Sequence, residues 1–509
     1  MSATGELILW MDTPEALLRQ VVGSKASALA RVARVGSFPS GNPPQSGQRH
    51  RLGTQDISGL EDAQEANSFA FPTIPTPLGF VISAAACSEL LGQESVAVPL
   101  SDCFRALDAG HIRPEELATQ AQSLLDKAVF SARFLSQLEM AVTKLQLEGG
   151  EETLLAVRSS AISEDLVGAS FAGQYESVLA VTGLDEVIRR YRLVVASLFS
   201  ARAIAYHKSL ETDPQANLMA VAVQRMVRSD LGASGVLLSS DPDLQGRQRT
   251  SGKYSDIAQA GTTEVATIEA CWGMGDALVD GLIIPERYEV LNGAFDEEKK
   301  PRVAVFAQPQ LLKSNGSGEL VATTELERST QVLDMDQILL LTTWGRVLAQ
   351  NFGHAVELEW AVDGITDQIL LVQVRPFSQR ESAGSDSPED SASNPLLLLG
   401  TGVGIGSGAI ESRVCVLTDP LDAEAFREGD VIVTRNTDPS WLPLMLEASA
   451  LVTEHGGRTS HAAILSRELG LLCVVGCADA TTKLLDVQRV RVACEHGLGT
   501  ITRADDSPT

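Results

Sequence analysis

Two short apolar runs, Ala448 to Val452 and Leu471 to Val475, bracket a segment from Thr453 to Gly470 with helical spacing. That pattern predicts strand, glycine turn, helix, strand. Thr459 or Ser460 is expected to cap the helix and Gly470 to end it. Upstream, Glu6 to Met11 reads as a first strand, and Thr13 to Ala33 as a helix interrupted at Val22 to Ser27. A turn and strand follow at Ile74 to Ile82, and the pattern from Cys87 to Leu147 is mostly helical. Leu154 to Val157 reads as a buried strand ending at Arg158. Next come a helix over Ile188 to Leu210, a strand over Ala220 to Val227, and a turn with a partner strand over Gly232 to Leu238. Ala355 to Asp363 alternates, so Glu357 and Glu359 share one strand face. Ile369 to Pro376 reads as its hairpin partner, with Gln373 and Arg375 together on one face. Gly36 to Asn67 and Gln245 to Thr263 read as polar loop insertions, and Ser382 to Asn394 as a flexible acidic linker.

A chain of 509 residues predicts three or four compact units. Its 44% hydrophobic and 21% charged content is ordinary for a soluble globular protein. The net charge of −26 argues against nucleic acid as a partner, because a phosphate backbone needs a basic surface. A single nucleotide asks only for a local island of Arg, Lys and metal. Seven dispersed cysteines suggest reduced thiols and a cytoplasmic setting. Glu6 and Asp12 interrupt the only apolar piece near the start, and no apolar run is long enough to span a bilayer, so no membrane partner is expected.

His461 falls in the first turn of the helix expected after Ser460, where free N–H groups and the dipole favour an anion. That position disfavours an imidazolium and suits a neutral nucleophile whose phosphorylated form is stabilised. Gly456 and Gly457 would let the backbone approach a phosphoryl group, and Arg458 would add charge. The competing reading is a buried structural histidine; the Gly-Gly-Arg-Thr-Ser context favours the carrier.

Lys25, set among small residues, suits a backbone that approaches a phosphate. Arg158, with the Ser/Gly/Ala loop that runs on to Gly173 and Gln174, can offer guanidinium and backbone donors to phosphates. The alternative is an ion pair from Arg158 to Glu164 or Asp165 in a solvated turn. Gln224 can pair with an adenine edge and Met226 can lie against the base, or both are ordinary strand residues. Glu357, Glu359, Gln373 and Arg375 converge as a magnesium and phosphate site, in which Glu359 and Gln373 would suffice as metal ligands. A cross-strand salt bridge is the alternative there.

Thr-Glu-His-Gly-Gly-Arg-Thr-Ser-His-Ala-Ala-Ile-Leu-Ser-Arg-Glu-Leu-Gly, running on to Val474-Val475-Gly476, resembles the swivelling phosphohistidine domain of phosphoenolpyruvate synthase and pyruvate phosphate dikinase. Val-Gly-Ser-Lys-Ala-Ser, Ala-Val-Arg-Ser-Ser-Ala-Ile-Ser-Glu-Asp, Ala-Ser-Phe-Ala-Gly-Gln-Tyr-Glu-Ser, Glu-Leu-Glu-Trp and Val-Gln-Val-Arg-Pro resemble the ATP-grasp region of the same family, in the family's order. Two departures are His455 and Ser24, which replaces the usual second glycine before the lysine. The resemblance implies a multidomain α+β / α/β fold. An ATP-grasp region in two subdomains would span 1–380, with insertions near 37–72 and 245–263. A flexible linker over 381–395 and a small swivelling β/β/α phosphohistidine domain over 396–509 would follow.

The resemblance further implies ATP and Mg2+ as cofactors, with His461, Arg158 and Arg375 as catalytic residues. Lys25, Arg158, Gly173, Gln174, Gln224, Met226, Glu357 and Arg375 would bind the nucleotide, and Glu359 and Gln373 the metal. The implied activity is a dikinase-type phosphotransferase that phosphorylates His461 from ATP, giving AMP and phosphate. Family members continue into a barrel that binds pyruvate or phosphoenolpyruvate, which these 509 residues do not include. A pyruvate-like or alcohol/phenol acceptor would then be bound by a separate subunit, and a homo-oligomer stays open. The alternatives are a nucleotide-binding regulatory protein and a fragment of a longer enzyme.

Overall fold

The computed structural model describes residues 5–35, 74–149, 153–164, 174–209, 212–244, 265–295, 301–306, 310, 312–377 and 398–504. The two expected insertions, the linker and Gly173 lie outside these residues.

The first sheet holds β1 (Ile8–Trp10), β2 (Gly79–Ile82), β3 (Leu155–Ala161), β4 (Ser177–Val181) and β5 (Met219–Arg225), in the order β1-β2-β5-β3-β4. All its pairings are antiparallel. Side chains alternate across it, as a two-residue period requires. Phe80, Ile82, Val221 and Val223 face a helical layer. That layer is α1 to α6 without the first: α2 (Ala84–Leu91), α3 (Glu94–Asp108), α4 (Pro114–Lys127), α5 (Ala132–Gly149) and α6 (Gly183–Ala196). Val81, Ala220 and Ala222 face the opposite way, toward α1 (Arg19–Val35) and the second sheet.

The second sheet, also antiparallel, contains β6 (Ala233–Leu238), β7 (Val265–Trp272), β8 (Glu286–Phe295) and β9 (Pro301–Phe306), joined by β12 (Val356–Val362) and β13 (Ile369–Pro376). Its order is β13-β12-β6-β7-β8-β9. β10 (Leu312–Ser314) and β11 (Leu320–Ala322) form a separate ribbon. The remaining seven strands, β14 (Leu398–Ile405), β15 (Gly408–Val416), β16 (Val431–Thr434), β17 (Ala450–Thr453), β18 (Leu472–Val475), β19 (Arg489–Glu495) and β20 (Leu498–Arg503), close a barrel. Val431 and Val433 point into the barrel core, whereas Ile432 joins the apolar cluster that continues into the helical layer of the first sheet. The barrel and the two sheets therefore share buried surface.

Four readings from the sequence need correction. Arg158 is not at a strand end: β3 runs on to Ala161 because Ser159, Ser160 and Ala161 pair with Val221, Ala220 and Met219. Gly232 to Leu238 does supply a strand, but β6 pairs with β7 and β12 in the other sheet, not with β5. The helix expected over Ile188 to Leu210 breaks at Ser197–Phe199 into α6 and α7 (Ala201–Ser209). The small residues before Lys25 serve packing on β3. Gly23 adopts a positive φ of 74°, and a Cβ there would collide with the Ser160 carbonyl. Ser160 pins the kink by donating to Val22 O (2.7 Å) and accepting from the Ala26 N–H (3.0 Å).

Candidate functional site

A cavity of about 350 Å³ opens between the two sheets. Arg158, Gln224, Met226 and Glu359 line it, with Asp276 and Asp280 on another wall. Its volume falls within the range of small-molecule sites. Arg158 reaches from the first sheet to the second. One guanidinium nitrogen donates to both Glu359 Oε2 (3.1 Å) and Gln373 Oε1 (2.8 Å), and the other to the Val372 carbonyl (2.8 Å). That carbonyl is free because the β12–β13 register passes from Glu359–Gln373 to Trp360–Leu371, leaving Val372 as a bulge. The same register sets Glu357 opposite Arg375. Arg158 thus pairs across the sheets rather than with Glu164, which instead holds Lys25 at 2.6 Å.

Lys25 and Gln373 line a small adjoining cavity together with Arg158 and Gln224. Lys25 also donates to Ser159 Oγ at 3.2 Å. The buried Gln224 amide touches Met11 Sδ at 3.4 Å. Gln174 is buried but lines neither cavity, and its backbone carbonyl accepts from Arg202 Nε at 3.0 Å. Arg375 and Glu357 form a buried ion pair (Nε to Oε1 2.9 Å). Burial raises the Glu357 pKa, and Arg375 opposes the rise. Both line a crevice with Ile464, Arg467 and Glu468. Those three lie on α12 (His461–Leu469), which in chain order follows α8 (Asp276–Val279), α9 (Glu325–Ser329), α10 (Met335–Phe352) and α11 (Leu442–Glu447) and packs on the barrel strands β14, β17 and β18.

His461 is the first residue of α12, whose end is closed by Gly470 in the left-handed region. Ser460 is the cap position, yet its hydroxyl donates to the Gly457 carbonyl (2.9 Å) and not into the helix. The imidazole is 6% exposed. Nδ1 lies 3.0 Å from Thr437 Oγ1, and Nε2 makes no hydrogen bond among the described residues. Its pKa is pushed down to about 4, mainly by burial; Arg202 and Arg375 act the same way and Asp438 opposes them. The ring is neutral at neutral pH, as the sequence suggested, but desolvation is the main cause.

Two readings of the loop before His461 are overturned. Arg458 offers no charge to a phosphoryl group: it is fully buried against Asp241 (3.2 Å), Asp243 (3.3 Å) and the Gly497 carbonyl (3.2 Å). Burial disfavours its charge, but Asp241 and Asp243 outweigh that and raise its pKa. Gly456 and Gly457 serve the joint between barrel and sheets. Gly456 (φ +105°) faces Ser460 and Gly281, and a Cβ on Gly457 would sit 2.5 Å from Glu269 Oε1.

The joint places the histidine loop beside the cavity. Asp280 lines the cavity, and the next residue, Gly281, packs on Gly456 and Ser460. Asp280 is pushed up to about 6 by burial and then by Asp276 and Asp438. Glu269, Asp241 and Asp243 were not singled out from sequence. Glu269 left the clearest trace, as the one acid inside the β7 run Val265–Trp272, whose interior is buried. Among the described residues no group of three or more His, Cys, Asp and Glu could hold a metal alone, and no helix is long and apolar enough to cross a membrane. All seven cysteines are free and buried.

These features define a multidomain α/β protein with a cavity of about 350 Å³ between two sheets and a barrel that holds a neutral, buried histidine near it. The pattern of the pyruvate phosphate dikinase AMP/ATP-binding domain matches residues 57–394, and that of the mobile domain of PEP-utilising enzymes matches residues 426–497. The chain belongs to the pyruvate phosphate dikinase and phosphoenolpyruvate synthase family. Phosphoenolpyruvate synthase of Pseudomonas aeruginosa is 31% identical, with 88% of this chain aligned to 56% of that protein. For the Escherichia coli enzyme the identity is 32%, over 83% of this chain and 52% of the relative; for that of Aeropyrum pernix it is 32%, over 97% and 57%. The chain spans about half the length of the curated relatives it matches.

Proposed function

We propose that this chain catalyses ATP-dependent phosphorylation of its own His461, the first half of a dikinase reaction. The two sheets are read as an ATP-grasp region within 1–380, the segment 381–395 as a tether, and the barrel within 396–509 as the mobile carrier. One observation carries the reading: the Nε2 of a neutral imidazole, unpartnered among the described residues and held beside the cavity wall that contains Asp280.

With Nδ1–H donating to Thr437 Oγ1, the Nε2 lone pair is the nucleophile. It attacks the β-phosphoryl group of ATP, the bond to the α-phosphate oxygen breaks, and AMP departs. Hydrolysis of the pyrophosphoryl-histidine then leaves phosphohistidine and phosphate. Lys25, Arg158 and Arg375 orient the phosphates and offset their charge, and electrostatic positioning of this kind dominates phosphoryl transfer. Gln224 reads the adenine edge, Met226 lies against the ring, and Gly173 and Gln174 are read as phosphate-binding residues.

Glu359 and Gln373 suit a magnesium ion. Their oxygens already converge on one cationic nitrogen of Arg158, and a Mg2+ with two protein ligands takes the rest from phosphate and water. Bound there, the ion would neutralise charge on the phosphates. The acceptor is read as a pyruvate-like acid or an alcohol or phenol held by another subunit or domain, and the buried free thiols fit a cytoplasmic setting.

The test is incubation with magnesium and ATP radiolabelled at its β-phosphate. A base-stable, acid-labile label on the parent, absent from His461→Ala, with AMP released, is the expected result. Equal labelling of His461→Ala, or no label on the parent, overturns the reading.

A further inference from the structure

Glu269 is 1% exposed inside β7 and belongs to the nucleotide side of the joint. Its carboxylate takes three hydrogen bonds from the barrel: the Arg458 N–H on Oε1 (2.8 Å), and the Thr459 N–H (2.9 Å) and hydroxyl (2.6 Å) on Oε2. Gly457 lies flat against the same carboxylate, with no room for a Cβ. A second anchor stands nearby. Asp243 accepts from the Gly406 N–H (3.0 Å) between β14 and β15, and it pairs with Arg458 and Arg467. None of these residues touches the cavity between the sheets.

We propose that Glu269 is a positioning residue for His461. Its three contacts fall on the two residues just before the cap of α12, so they fix the height and rotation of the helix's first turn. That turn carries Nε2, and the position of Nε2 relative to the cavity is set through it. Charge-assisted bonds to a buried carboxylate are short and directional, which makes the joint stiff while the barrel is docked on the sheets. A reacting atom displaced by about an ångström loses on the order of a hundredfold in rate. The inference rests on the phosphotransfer reading above, because it assigns Glu269 a part in delivering the nucleophile.

Glu269→Gln keeps the shape but turns an NH2 toward one of the two backbone N–H groups, donor against donor. Gly457→Ala disturbs the same contact from the other side by pushing a methyl group into the carboxylate. Each variant of the full chain is compared with the parent in two measurements. One is single-turnover formation of the base-stable label from β-labelled ATP, with the ATP dissociation constant measured alongside. The other is hydrogen exchange of the Arg458 and Thr459 amides.

Each variant is expected to slow labelling by about a hundredfold while ATP affinity stays within about twofold. The double variant should be no slower than the slower single one, because both remove one contact. The two amides should exchange faster while those of β16 to β18 stay protected, which shows that the barrel is folded. A labelled parent with both variants at the parental rate, or amides that keep their protection, overturns the positioning role alone. A parent that takes no label, with fast amide exchange in the variants, sinks the phosphotransfer reading and leaves the joint standing.

Discussion

Thr437 Oγ1 lies 3.0 Å from Nδ1 of His461, on the side of the ring opposite the unpartnered Nε2. In the reading that makes Nε2 the nucleophile, this hydroxyl accepts the Nδ1 proton and holds the ring in that tautomer. Thr437→Val preserves the shape and removes the acceptor. Phosphohistidine formation should fall on the order of a hundredfold, the usual scale for losing proton-state control at a reacting imidazole. Rapid-quench labelling measures it, and Thr437→Ser should recover most of the loss.

The histidine's pKa also makes a statement about stability. A base held near 4 in the folded chain, against 6.5 free, is neutral when folded and charged when unfolded between those values. Its contribution is complete above pH 6.5 and is lost as pH falls toward 4, on the order of 3 kcal/mol. Asp280 works the other way: raised from 3.8 to about 6, it favours the folded chain at low pH and loses that contribution as pH rises through 6. Asp280→Asn should therefore lose more stability than the parent between pH 7 and 4.5, as read from urea midpoints. An equal loss would show that Asp280 does not offset the histidine.

Glu359 and Gln373 share one Arg158 nitrogen, so the site already balances cation against anion. Glu359→Gln should cut labelling about a hundredfold or more and raise the magnesium concentration needed for half-maximal rate. A magnesium titration of the labelling rate checks both. Loss of rate without a shift in the titration would remove Glu359 from the metal site.

Gly23→Ala places a methyl group into the Ser160 carbonyl on a backbone with φ of 74°. The left-handed strain alone is worth about 1–2 kcal/mol, and the clash adds to it. Denaturation should show a loss of more than about 2 kcal/mol, with weaker ATP binding because Lys25 rides on the same kink.

The β12–β13 hairpin shows how much was legible. Alternation alone set Glu357 with Glu359 and Gln373 with Arg375, and the pairing register agrees. The strand–turn–helix–strand around His461 was equally plain, because its apolar spacing and Gly470 are local signals. Local signals failed wherever a residue's partner was remote in sequence. Arg458 looked like a phosphate ligand beside the histidine, yet its partners Asp241 and Asp243 are more than two hundred positions away. The same blindness paired β6 with the wrong sheet and gave Gly457 to a phosphate instead of Glu269.

From the sequence alone came the family, the β12–β13 hairpin and the neutral histidine at a helix start, since periodicity, capping and motif spacing are properties of neighbouring residues. Only the tertiary structure decided which charges remain available to a ligand. A buried guanidinium or carboxylate is satisfied by whichever opposite group the fold brings against it, and that choice is made by packing between distant segments.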